Sequence, residues 1–221
     1  MEKVYRRIIK QLADKEVNLV LVSKRKPVEL IKKFYGWGQR DFGENRVQEL
    51  VEKYENLPKD IKWHLIGHLQ KNKVKYIAPF VHLVHAIDNL ELLIEIDKRA
   101  KVNNRVIDVL LQLKIAQEES KFGLSKEGII SLLESDACNK LNNIRIVGLM
   151  GMATNTPDRE QIKNEFNTLH EFFLFIQKTY FNKNNSFKEI SMGMSGDYEI
   201  AIEEGATMVR IGSLILGART Y

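Results

Sequence analysis

The stretch NLVLVSKRKP (18–27) ends an apolar, β-branched run on an amine. A chain that only had to turn would use Gly or Asn there. Lys24 is therefore a candidate for chemistry, because a lysine amine can add to a carbonyl and form a Schiff base. Two later segments carry complementary groups. SMGMSGD (191–197) offers the Ser195 hydroxyl and the N–H groups of a Gly-rich turn ahead of a helix, a set suited to an anion. VRIGS (209–213) offers Arg210, Gly212 and Ser213. These groups make one site only if the fold brings them together.

The elements that must do so alternate along the whole chain. β-branched apolar runs predict strands at 17–23, 40–45, 62–67, 81–88, 105–116, 144–150, 187–192 and 206–212. Helical spacing fills the gaps at 27–35, 46–54, 71–80, 89–102, 125–137, 157–180 and 197–205, and one more helix precedes the first strand. Asn89 and Ser125 are N-cap candidates, Pro157 suits a helix start, and Gly205 suits a helix end. With no linker and no shift in composition, the expectation is one domain spanning 1–221.

Strict βα alternation requires a parallel sheet. Eight repeats in a chain of 221 residues favour closure into a (β/α)8 TIM-type barrel. An open doubly wound sheet would carry a G-x-G-x-x-G turn; GWGQRDFG (36–43) lacks that spacing, and there is no P-loop. In such barrels the functional face is the C-terminal end of the strands, with phosphate commonly held after strands seven and eight. Closure makes strands one and eight neighbours, so Lys24, Ser195, Arg210 and the two Gly-rich turns converge. An amine beside an anion cradle suits pyridoxal 5'-phosphate (PLP), and it also suits a sugar-phosphate enzyme working through a lysine Schiff base.

Composition excludes several other classes. The net charge of +5 comes from lysines scattered along the chain, densest at Lys71, Lys73 and Lys75, and no nucleic-acid-binding motif accompanies them. No nucleic-acid partner is expected. A single cysteine, Cys138, precludes an internal disulfide and fits a reducing compartment. The first residues, MEKVYRRIIKQLADKEVN, are charged throughout, and no apolar run approaches the roughly 18 residues that cross a membrane. The expectation is a cytoplasmic, soluble protein with no membrane partner.

Several motifs carry a family resemblance. SKRKP (23–27), GQRDFGENRVQEL (38–50), WHLIGHLQKNK (63–73), SKFGL (120–124), GLMGMA (148–153), SMGMSGDYEIAIEEGATMVRIGS (191–213) and LGAR (216–219) resemble the PLP homeostasis protein family, which is itself similar to the barrel domain of alanine racemase. The resemblance implies a single barrel with PLP on Lys24 as a Schiff base. It further implies phosphate on Ser195, Gly212 and Ser213, Arg210 facing the pyridine nitrogen, Asn45 near the ring hydroxyl, and Met150 or Met152 lining the ring. Arg25 and Ser213 stand where the family more often has a small or hydroxylated residue and a threonine. Alanine racemase has a second domain that supplies a second acid/base, whereas this sequence ends at Tyr221 soon after strand eight. The resemblance thus implies a monomeric carrier that buffers PLP or delivers it to apo-enzymes; the alternative is a low-activity racemase-like enzyme.

The remaining reactive residues have plain readings. His64 and His68 have metal-pair spacing, but on a strand and its loop; His82 and His85 fall on opposite faces of a strand. His170-Glu171 begins like H-E-x-x-H, but Leu174 takes the second histidine's place. No metal site is expected. Cys138 has no activating neighbour. Glu44, on the functional rim, is either a proton donor or a packing partner of Arg40 or Arg46.

Overall fold

The computed structural model describes residues 1–118, 122–183 and 185–217. Ser120 and Lys121 of SKFGL, residues 218 and 219 of LGAR, and Tyr221 lie outside the described residues.

Strands β1 (Asn18–Val22), β2 (Asp41–Glu44), β3 (Lys62–Leu65), β4 (Leu83–Ile87), β5 (Ile107–Gln112), β6 (Ile144–Met150), β7 (Glu189–Ser191) and β8 (Met208–Ile211) form a closed parallel barrel in chain order. Closure is made by β1 on β8, in a register running from Asn18 opposite Met208 to Leu21 opposite Ile211. Alternation along each strand divides the core in two. Val20, Leu110, Val147, Met150 and Met208 pack together inside the barrel. Their neighbours Leu19, Leu21, Val109, Leu111, Leu149 and Val209 face outward into a larger core shared with the helices. Strands buried on both faces explain the unbroken apolar runs in the sequence.

The helix layer comprises α1 (Glu2–Ala13), α2 (Val28–Gly36), α3 (Val47–Asn56), α4 (Val74–Ile77), α5 (Leu90–Val102), α6 (Lys126–Glu134), α7 (Asp136–Asn139), α8 (Arg159–Tyr180), α9 (Tyr198–Glu203) and α10 (Ser213–Leu216). Asn89 caps α5 by accepting from Leu92 N–H, and Ser125 caps α6 by accepting from Gly128 N–H. α1 lies outside the barrel, with Tyr5 edge-on to Phe34 of α2.

Three elements differ from expectation. The helix predicted over 71–80 shrinks to a 3-10 turn, Lys71–Lys73, and the single turn of α4. Pro79 lacks the N–H that a continuing helix would use, and only Val74 and Ile77 of this lysine-rich stretch are buried within the turn. The helix predicted over 125–137 breaks at Ser135, whose extended backbone and hydroxyl start α7 by accepting from Cys138 N–H. α10, directly after β8, was not foreseen, and it begins at one of the predicted phosphate residues, Ser213. No helix among the described residues is long and apolar enough to cross a membrane.

Candidate functional site

Because the strands are parallel, the residues following each of them share one mouth. Lys24, half-buried, sits in a turn directly after β1. Arg25, next to it, adopts a left-handed conformation (φ 59°) that is uncommon for a residue with a side chain. The turn closes through Lys26 N–H donating to the Ser23 carbonyl at 3.0 Å. The Lys26 ammonium donates to the carbonyls of Leu216 and Gly217 at 3.0 and 3.2 Å, tying the turn to the far end of α10.

At the end of β8, a Cβ on Gly212 would lie 3.1 Å from the Val22 carbonyl oxygen, so strand eight's exit presses against strand one's last residue. Ser195 Oγ accepts from the N–H groups of Gly212 and Leu214, at 3.3 and 3.4 Å. Ser195 therefore does not cap α9; its hydroxyl serves the start of α10. Ser213 is exposed there. These N–H groups and the hydroxyl converge on one spot, as a phosphate cradle requires. Gly193, in the same turn as Ser195, has φ 87°, and a Cβ on it would meet the Ala201 Cβ at 2.5 Å. Only glycine lets the loop approach α9 so closely.

Arg210 lies inside the barrel, 4% exposed. Its Nη1 donates to Ser191 Oγ at 2.6 Å and its Nη2 to the Gly151 carbonyl at 3.0 Å. Burial pulls its pKa down to about 10, with Asp197 acting in the opposite sense. No carboxylate among the described residues makes an ion pair with it. A buried guanidinium held by neutral acceptors is poised for an acceptor at the mouth. Met150 is fully buried on β6, in the inner cluster with Met152 beside it. Asn45 is half-buried after β2; the N-cap position of α3 belongs to Arg46, so Asn45 is not committed to capping. A Cβ on Gly67 would lie 2.5 Å from the Asn45 carbonyl oxygen, which pins the ends of β2 and β3 together.

Beneath the Lys24 turn lies an ionic cluster that sequence spacing did not expose. Lys53 of α3, 4% exposed, donates to the Ser23 carbonyl, Glu44 Oε1 and Glu49 Oε1, each at 2.7 Å. Ser23 Oγ donates to Glu44 Oε1 at 2.6 Å, and Arg25 N–H to Glu49 Oε1 at 2.5 Å. The residues on either side of Lys24 are thus fastened from below. Glu44 pairs with Lys53, not with Arg40 or Arg46. Burial raises its pKa to about 7, against the opposing pull of Lys53 and Ser23, and its Oε2 has no hydrogen-bond partner. The one available signal was Lys53 itself, on the same helix face as the buried Val47 and Leu50.

The histidines also sort differently from their spacing. His68 stacks on Phe122 at the C-terminal mouth, with Nδ1 3.1 Å from Asp88. His64 and His85 lie inside the barrel, ring nitrogens 2.9 Å apart, and exposed His82 precedes β4 at the opposite mouth. Cys138 is half-buried and burial raises its pKa, which leaves it an unreactive thiol.

A closed parallel barrel with a lysine after strand one and an N–H cradle after strand eight defines a class: barrels of the type described as "Alanine racemase, N-terminal domain", whose family model matches residues 5–220. A relative from Aquifex aeolicus named pyridoxal phosphate homeostasis protein is 44% identical over 204 residues, 92% of this chain and 87% of its own. PipY of Synechococcus elongatus, solved without PLP, superposes with a TM-score of 0.89 at 32% identity, covering 97% of this chain and 99% of that one. The same protein solved with PLP bound gives 0.84 at 30% identity, covering 97% and 100%. The chain belongs to the pyridoxal phosphate homeostasis protein family.

Proposed function

We propose that this chain binds pyridoxal 5'-phosphate through the Lys24 amine, as a Schiff base, and buffers or delivers the cofactor inside the cell. The observation that carries the reading is the packing of Gly212 against Val22, which sets an N–H cradle beside the Lys24 turn. The PLP-bound relative supports it. The donor set fits the group: an amine for the aldehyde, Ser195 with the Gly212 and Ser213 backbone for the phosphate, Arg210 for the pyridine nitrogen, Asn45 for the ring hydroxyl and Met150 for the ring face. When bound, PLP supplies an electrophilic carbonyl and an electron-withdrawing ring.

The chain's own residues set how that chemistry is used. The Lys53 cluster fixes the turn that presents the amine. Arg210, a cation with Ser191 and Gly151 behind it, disfavours a proton on a ring nitrogen facing it and so weakens electron withdrawal. That favours holding the cofactor over turning over a substrate. The reading includes a soluble cytoplasmic monomer built as one barrel domain, with PLP-dependent apo-enzymes as recipients.

The test is an absorbance spectrum of purified protein, followed by borohydride reduction and peptide mass mapping. A yellow protein with a reduced pyridoxyl adduct on Lys24, absent in Lys24→Ala, is the expected result. A protein that stays colourless and unmodified after incubation with PLP overturns the site. Saturable amino-acid racemisation that disappears in Lys24→Ala would replace the carrier reading with an enzymatic one.

A further inference from the structure

The barrel's other mouth holds a second constellation. Asp41 at the start of β2, His64 on β3 and His82 just before β4 each present one ligand atom, and these atoms all lie within 4.8 Å of one another. His64 Nε2 is 3.0 Å from Asp41 Oδ1, and the His64 and His82 rings are 5.4 Å apart. They open onto a cleft of about 380 Å³ at that mouth.

Behind them runs a buried chain of hydrogen bonds. His64 Nδ1 lies 2.9 Å from His85 Nε2, and His85 Nδ1 lies 2.9 Å from Ser191 Oγ, which accepts from Arg210. His85 is completely buried, where a charged imidazole is disfavoured. A neutral His85 donates from one nitrogen and accepts at the other. With the carboxylate of Asp41 at its end, the chain is satisfied when Ser191 donates to His85, His85 to His64, and His64 to Asp41.

We propose that Asp41, His64 and His82 form a binding site for a divalent transition cation of the zinc type. Three imidazole and carboxylate ligands with the remaining positions open to water are a common zinc set. Tetrahedral coordination needs ligand atoms about 3.4 Å apart. The Asp41–His64 pair is already near that spacing, and rotation of the exposed His82 ring closes the rest. The set does not suit Ca²⁺ or Mg²⁺, which take oxygen ligands. Lys62 and Lys188 line the same cleft and oppose a cation, whereas Arg145 is engaged by Asp108 through bonds of 2.7 and 2.9 Å.

Occupancy has a defined consequence. A metal on His64 Nε2 requires the proton on Nδ1, so the chain reverses: His64 donates to His85, and His85 donates to Ser191. The proton count is unchanged, since each histidine proton moves to the ring's other nitrogen. A ligand histidine whose second nitrogen is held by a buried partner is a recurrent feature of metal sites. This site stands independently of the cofactor reading at the opposite mouth.

The experiment titrates chelator-treated protein with Zn²⁺ alone, following calorimetry, thermal unfolding and ¹⁵N spectra of the histidine side chains. One zinc per chain, a zinc-dependent rise in Tm and a switch of the His85 tautomer are expected. His82→Ala, outside the buried chain, keeps the metal-free Tm while losing the zinc-dependent rise and about tenfold or more in affinity. Asp41→Asn weakens binding likewise, and His68→Ala leaves it intact. Absence of stoichiometric binding, or affinity undiminished in both His82→Ala and Asp41→Asn, overturns the proposal and leaves the cluster as a structural closure of the barrel floor.

Discussion

Glu44 shows how one residue couples the site to pH. Its carboxyl titrates near 7 in the folded chain, against an ordinary value of 4.5. Between those values the folded state keeps a proton that the unfolded state releases, so stability falls as pH rises through this window and levels off above it. The shift corresponds to roughly 3 kcal/mol. Glu44→Gln removes the titration, and denaturant unfolding from pH 5 to 8 should show a flatter profile than the parent. Lys53→Ala leaves Glu44 buried without its cation, a loss of about 3–5 kcal/mol. It also frees the Ser23 carbonyl, so slower borohydride trapping at Lys24 should accompany the lower Tm. Replacing both partners, Lys53→Met with Glu44→Gln, should recover much of the stability, because no uncompensated buried charge remains.

At the scale of elements, one strand pairing and one helix start each depend on a single residue. Gly148 lies at φ 157° where β6 shifts register against β5, and a Cβ there would fall 1.7 Å from the Glu189 carbonyl oxygen of β7. No side-chain adjustment relieves a clash with backbone. Gly148→Ala should therefore push β7 away and lower Tm sharply; an unchanged melting curve would contradict the β6–β7 pairing described. The start of α10 is the other case. Ser195 Oγ gathers the Gly212 and Leu214 N–H groups. Hydrogen bonds to charged groups contribute about 1.5–3 kcal/mol. Equilibrium dialysis of Ser195→Ala should thus show PLP affinity reduced about tenfold or more, with far-ultraviolet circular dichroism unchanged.

For the molecule as a whole, the barrel separates two mouths, and its interior carries a polar path between them. Asp41, His64 and His85 come from β2, β3 and β4, Ser191 and Arg210 from β7 and β8 across the barrel, and they are linked by bonds of 2.6–3.0 Å. A barrel interior filled this way is a packed core, not a pore. The monomer reading belongs to this scale: light scattering on a sizing column should return a mass near 25.6 kDa with and without PLP. A mass twice that, with protomers contributing to one site, would displace it.

What the sequence by itself determined was the architecture and the identity of the mouth residues. The alternation of β-branched runs with helical spacing required a parallel sheet, and eight repeats closed it. Lys24, Ser195, Gly212 and Ser213 were legible because each follows a strand, where parallel topology puts all such residues on one side, and Arg210 because it lies on the last strand just before that exit. Only the tertiary structure decided their partners. Lys53 looked like any helix lysine until α3 turned it under the Lys24 turn, and the bonds from the Gly212 and Leu214 N–H groups to Ser195 appeared only with α10. Asp41, His64 and His82 have no mutual spacing in sequence, since adjacency around a barrel depends on strand register and not on residue number. Periodicity reports which face a side chain takes; which groups meet across that face is fixed by closure of the sheet.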